Sequence, residues 1–127
     1  MLPNFLIPEC AVEKNGHGAA LPLGDAQGQV LQLTLAVRRA IEQESLDVWI
    51  EGSADGQTWL EKPLAQFPQK FYCGDYAIVC DLAAHPEVTM VRAAWKVHRW
   101  GRGEAKPFFE IALFAEASGN LALAAGR

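Results

Sequence analysis

Residues 31–37, "LQLTLAV", decide the architecture: Leu31, Leu33, Leu35 and Val37 alternate with Gln32, Thr34 and Ala36. Successive side chains of a strand point to opposite faces, so this run predicts a strand with one face in a core and the other toward water. The same period returns along the chain. "SLDVWIEG" (45–52) sets Leu46, Val48 and Ile50 against Asp47, Trp49 and Glu51. "VTMVRAAWKVHRW" (88–100), the longest such run, sets Val91, Ala93, Trp95 and Val97 against Arg92, Lys96 and His98, and predicts Trp95 in the core. "FFEIALFAEA" (108–117) gives one face to Phe109, Ile111, Leu113 and Ala115, and a shorter run sets Ile78, Cys80 and Leu82 against Val79 and Asp81.

Helical spacing is scarce. "RRAIEQES" (38–45) holds good helix formers, but it is brief and lies between two strand-like runs, so it reads as a strand end and a turn. Several strands separated by turn signals predict an all-β, antiparallel two-sheet β-sandwich. The expected domain is a single one over residues 1–127, with an irregular lead-in over 1–28 carrying one or two short strands, and a loose tail over 117–127.

Composition supports a packed core and restricts function. Half of the 127 residues are apolar and a fifth are charged. "MLPNFLIPEC" has neither a basic start nor a long apolar stretch, and charges interrupt every apolar run short of a membrane helix, so the expected location is cytoplasmic, with no membrane partner. The net charge of −4 makes nucleic acid an unlikely partner. Charge is nevertheless segregated: 42–61 carry Glu42, Glu44, Asp47, Glu51, Asp55 and Glu61 with no base, whereas 91–106 carry Arg92, Lys96, Arg99, Arg102 and Lys106 against Glu104. Either the two segments neutralise one another across strands, or the basic one is a patch for an acidic partner.

"SADGQTW" (53–59) reads as a hairpin. Asp55-Gly56 is a two-residue turn signal, Ser53 can bond to turn amides, and Trp59 falls on the returning strand. Chemistry is harder to find. Cys10, Cys73 and Cys80 are odd in number and lack CxxC spacing, so reduced structural thiols are expected, and Cys80 is in phase with buried neighbours. His17, His85 and His98 have no metal-ligand spacing, turn formation accounts for Asp55, Asp75 and Asp81, and no cofactor is expected. Glu51, Asp81 and Glu110 could serve as hydrolytic carboxylates only if the fold brought them together.

The unusual residues concentrate at expected loops and strand ends: Phe67, Phe71, Tyr72, Trp59, Trp100, Arg99 and Arg102. Trp100 beside two arginines makes an aromatic and guanidinium platform suited to a sugar, an acidic protein surface or a single-stranded base. The reading is a non-catalytic binding module using loops 53–59, 66–76 and 99–107 at one end of the sandwich. The alternative is a structural subunit of a homo-oligomeric or phage-like assembly, the basic segment of one copy docking on the acidic segment of the next.

The order "LDVWIEGSADGQTW", then "VTMVRAAWKV" with its Val91-Arg92 pair, then "FFEIALFAEA", resembles the discoidin-like (coagulation-factor C-type) domains of the galactose-binding-like fold. Their S-x-D-G-x-x-W hairpin corresponds here to Ser53, Asp55, Gly56 and Trp59, and the similarity spans about residues 46–116. The resemblance implies a jelly roll and a carbohydrate ligand. Domains of that family commonly tie their ends by a disulfide, whereas Cys10 has no cysteine near the C-terminus to match it.

Overall fold

The computed structural model describes residues 2–100 and 106–117. Their strands are β1 (Asn4–Val12), β2 (Gly16–His17), β3 (Leu21–Pro22), β4 (Val30–Ala40), β5 (Glu44–Ser53), β6 (Ala65–Gln66), β7 (Gly74–Asp81), β8 (Met90–Arg99) and β9 (Phe109–Ala117). One-turn 3-10 segments at Gly24–Ala26 and Leu82–Ala84 interrupt them. Among the described residues no helix is long and apolar enough to cross a membrane. One sheet has the order β1-β9-β4-β7, the other β2-β8-β5-β6 with β3 also on β8, and the pairs are antiparallel. The two sheets pack face to face as an all-β sandwich.

The alternating runs form the core that their period requires. Leu31, Leu33, Leu35 and Val37 of β4 and Phe109, Ile111, Leu113 and Ala115 of β9 are buried on one side. Leu46, Val48 and Ile50 of β5 and Val91, Ala93 and Val97 of β8 are buried on the other. Burying apolar area at about 25 cal/mol per Å² is the favourable term that holds two such faces together. Trp95 departs from the expectation of a core residue. It is half-buried, packed against the core edge, with Nε1 donating to the Lys14 carbonyl at 3.0 Å. An indole at that position keeps a hydrogen bond that full burial among aliphatic side chains would have removed.

The lead-in also differs. In place of one or two short strands within an irregular segment, residues 4–12 form a nine-residue strand, β1, paired along β9. Its sequence hides this because the register shifts between Phe5 and Ile7 and again between Ile7 and Cys10, leaving Leu6 and Ile7 adjacent and both buried. Bulges destroy period two, and Pro8 is tolerated because β1 is an edge. Of the expected loose tail, Ala117 closes β9, and 118–127 lie outside the described residues.

The "SADGQTW" hairpin is wider than a two-residue turn. Ser53 pairs with Trp59 across a loop of residues 54–58. The fully buried Ser53 hydroxyl accepts the Gly56 N–H at 2.8 Å and reaches the Thr58 carbonyl at 2.7 Å. Asp55 Oδ1 accepts the N–H groups of Gln57 and Thr58, each at 2.8 Å. Side chains that take up these amides compete with the cross-strand bonds of a tight turn, so the loop opens. Gly56 sits at φ 78°, a backbone conformation that favours glycine, and a Cβ there would stand 2.7 Å from Met90 Sδ and push that side chain aside. Beyond Trp59 the chain follows β5 with an interrupted ladder: the N–H groups of Leu60, Leu64 and Phe67 donate to Gly52, Ile50 and Val48, with Pro63 between the first two and Pro68 after the third.

The amides of Thr58 and then Gln57, followed by the Ser53 hydroxyl, hold the Asp55 carboxyl below its ordinary value of 3.8. A folded-state pKa below the unfolded one stabilises the protein above the unfolded value, and the contribution is lost as pH falls through the folded value. Asp55→Asn is therefore expected to lower the melting temperature at neutral pH and to match the wild type in strong acid. Thermal unfolding followed across pH checks this, and a constant offset at every pH would contradict it.

Candidate binding site

The end of the sandwich where β4 turns into β5 is organised by a buried carboxylate. Glu44 opens β5 on the inward phase of Leu46, Val48 and Ile50, and only 1% of it is exposed. Its Oε2 accepts the Ile41 N–H and its Oε1 the Phe108 N–H, both at 2.7 Å. One side chain thus joins the 41–43 turn, in which Gln43 adopts φ 61°, to the entry of β9. The end of β8 docks on the same turn: the Trp100 N–H donates to the Gln43 carbonyl at 3.0 Å, and Arg99 Nε to the Glu42 carbonyl at 3.3 Å.

The third component arrives from the interrupted strand. Reciprocal backbone bonds of 2.9 Å between Leu46 and Lys70 deliver the chain to this end, and residues 71–73 then project past the sheet. The Tyr76 hydroxyl, donating to the Tyr72 carbonyl at 2.9 Å, pins the projecting segment, and Lys70 Nζ lies 3.9 Å above the Tyr76 ring. Phe71 meets Trp100 edge-on at 6.2 Å and Tyr72 at 6.3 Å, while His98 stacks on Trp100 at 6.1 Å. Three of these rings face solvent: Phe71 is 40% exposed, Trp100 52% and Tyr72 77%. They border a groove of about 550 Å³, also lined by Ile41, Glu42 and Cys73. Exposed aromatic rings gathered at one place cost hydration free energy and mark a surface suited to being covered.

Of the residues singled out in the sequence, Phe71, Tyr72 and Trp100 come together here, and Arg99 lies beside them. Phe67 is instead a buried core residue, and Trp59 lies elsewhere. The hairpin leaves β5 at Ser53, which pairs with Met90, whereas Glu44 pairs with Arg99, so loop 53–59 and the Arg99-Trp100 end of β8 stand at opposite ends of the β5–β8 ladder. Antiparallel pairing forces that separation and corrects the expectation of one shared end. Trp59 instead packs under the Arg92 guanidinium, 4.2 Å from its ring centroid. Arg102 lies outside the described residues.

The acidic and basic segments are neighbours within one sheet. Arg92 Nε bonds Glu51 Oε1 at 2.7 Å, Asp47 stands opposite Lys96, and Glu44 opposite Arg99. The carboxylates considered for hydrolysis are dispersed: Glu51 is on β5, while Asp81 and Glu110 lie toward opposite ends of the other sheet, opposite Val30 and Arg39. Among the described residues no group of His, Cys, Asp and Glu is placed to hold a metal ion. Cys80 is buried, and burial first, then the charge of Asp81, pushes its thiol up to about 11. Cys73 is exposed at the groove. No protein-family model matches the chain, and no curated protein shows significant similarity to it.

Glu44 and Ile41 were not among the residues the sequence singled out. The signal for Glu44 was an acid in step with three core positions, a placement that requires buried partners. Glu44→Gln keeps the shape but turns an N–H₂ toward one of two N–H donors. A loss of about 1–3 kcal/mol is expected from the orphaned donor, read from urea unfolding. Maleimide should label Cys10 and Cys73 in the native protein and Cys80 only after unfolding, as counted by intact mass; a native Cys80 adduct would contradict its burial.

Proposed function

We propose that the protein is a non-catalytic binding module of the jelly-roll, discoidin-like kind that takes a carbohydrate in the groove of Ile41, Phe71, Tyr72 and Trp100. The observation that carries the reading is the exposed ring cluster around a groove of about 550 Å³, within the usual range for a small-ligand site. Aromatic faces receive the C–H faces of a pyranose, and the side chains of Glu42 and Gln43 at the border offer partners to its hydroxyls. The border also distinguishes between ligands. Among the described residues its charged side chains are Glu42 and the nearly sealed Glu44, and Arg99 spends Nε on a backbone carbonyl, which favours a neutral polyol over an acidic protein surface.

Two features support the absence of catalysis. Both oxygens of Glu44, the buried carboxylate at the groove, are occupied by backbone amides. The acids considered for hydrolysis, Glu51, Asp81 and Glu110, are dispersed over the two sheets. The assembly reading is the less favoured of the two, since one pair of the charges it invokes, Glu51 and Arg92, meets within one molecule.

An array of galactose-, glucose-, mannose- and N-acetylglucosamine-terminated glycans, followed by titration of any hit, tests the proposal. Trp100→Ala and Tyr72→Ala are each expected to weaken binding about tenfold or more, as truncation of a buried aromatic anchor does. Trp59→Ala, at the opposite end, should leave affinity unchanged. Absence of any bound glycan, or equal losses from all three variants, would sink it.

A further inference from the structure

The edges of the two sheets are treated unequally. A free strand edge invites pairing with other chains, and proteins ordinarily blunt it with proline, bulges, lysine or shortness. β1 carries Pro8 and two register shifts. β6 is two residues long between Pro63 and Pro68, and β2 and β3 are two residues each, with Pro22 in β3. β7 has none of these devices. Its eight residues, "GDYAIVCD", contain neither proline nor lysine, pair with β4 in unbroken register from Gly74 to Asp81, and among the described residues have no strand on the other side.

The side chains of β7 look equally unfinished. Tyr76 and Ile78 point toward the core yet are only half-buried, because the sheet ends beside them. On the outer face Ala77 and Val79 are exposed, Val79 to 63%, and Asp75 and Asp81 bracket them. Asp75 has Arg38 at 3.6 Å, an exposed pair of little strength, and Asp81 Oδ1 accepts the Ala83 N–H; both carboxylates still face water.

We propose that β7 receives an extended segment of another protein as an added strand, with apolar residues at its centre and Lys or Arg at both ends. The charge pattern selects this occupant over a second copy of the chain. Antiparallel self-pairing centred on Ile78 sets Asp75 against Asp81 twice, and parallel in-register pairing sets each aspartate against itself. Like charges directly opposite one another destabilise a ladder, and opposite charges support it. A segment with basic ends meets an aspartate at each end, covers Ala77 and Val79 on one face and completes the cover of Ile78 on the other. Backbone hydrogen bonds supply affinity, and the alternate side chains supply selectivity.

The test uses the intact wild-type protein and two synthetic peptides, KTVVVTK and ETVVVTE, whose near-palindromic order serves either strand direction. Backbone amide shifts in an isotope-labelled sample are expected to move along residues 74–81 with the Lys-ended peptide, which should bind about tenfold more tightly than the Glu-ended one. Asp75→Lys, its fold checked by circular dichroism, should narrow that difference. The proposal is overturned if no amide of 74–81 responds to the Lys-ended peptide up to roughly 1 mM, or if the two peptides bind alike. It is also overturned if light scattering shows the protein pairing with itself and Asp75→Lys, Asp81→Lys or both strengthening that pairing.

Discussion

A carboxylate sealed from water must be met by donors, and at Glu44 this requirement holds together the end of the sandwich that carries the groove. Leaving such a group without partners costs several kcal/mol, so the two amides it binds are fixed in place. One belongs to the turn leaving β4 and the other to the entry of β9, strands that are neighbours in one sheet, while Glu44 itself starts a strand of the other. The carboxylate is therefore a pin between the sheets at this end. Once the turn is fixed, the Gln43 and Glu42 carbonyls are fixed, and they receive Trp100 and Arg99. The position of the exposed indole thus follows from a buried acid.

How much of this was legible in the sequence depended on whether a period could survive. β4, β5, β8 and β9 could be read because each keeps strict alternation between a buried and a solvated face. β1 could not, because two bulges place Leu6 and Ile7 side by side in the core and no two-residue period remains. The hairpin at 53–59 was recognisable by its Asp-Gly pair, but its width was not, since that depends on the Ser53 hydroxyl and Asp55 carboxylate taking amides from the loop. Local chemistry identified the turn, and side-chain competition set its size.

The site was legible as residue types and not as an assembly. Phe71, Tyr72 and Trp100 were conspicuous as aromatic residues outside the alternating runs. Their meeting depends on the Leu46–Lys70 pairing, which carries the irregular segment back along the full length of β5. Trp59 belonged to the same class by composition and is excluded by direction alone, because it follows the exit of β5 and the groove surrounds its entry. Nothing in the local sequence of a loop says to which end of a sandwich it belongs; the strand path does.

The groove and the open edge of β7 meet at Tyr76. Its hydroxyl holds the segment that carries Phe71 and Tyr72, its ring supports Lys70, and its flank is left half-covered by the absence of a neighbouring strand. Gly74, at φ 153°, lets the chain begin β7 close under that hydroxyl, where a Cβ would stand 3.0 Å from the oxygen. The wall of the groove is thus anchored to the start of the least protected strand among the described residues. Local stability tracks how well an element is covered, so the rings are mounted on a support whose rigidity is set at the sheet edge.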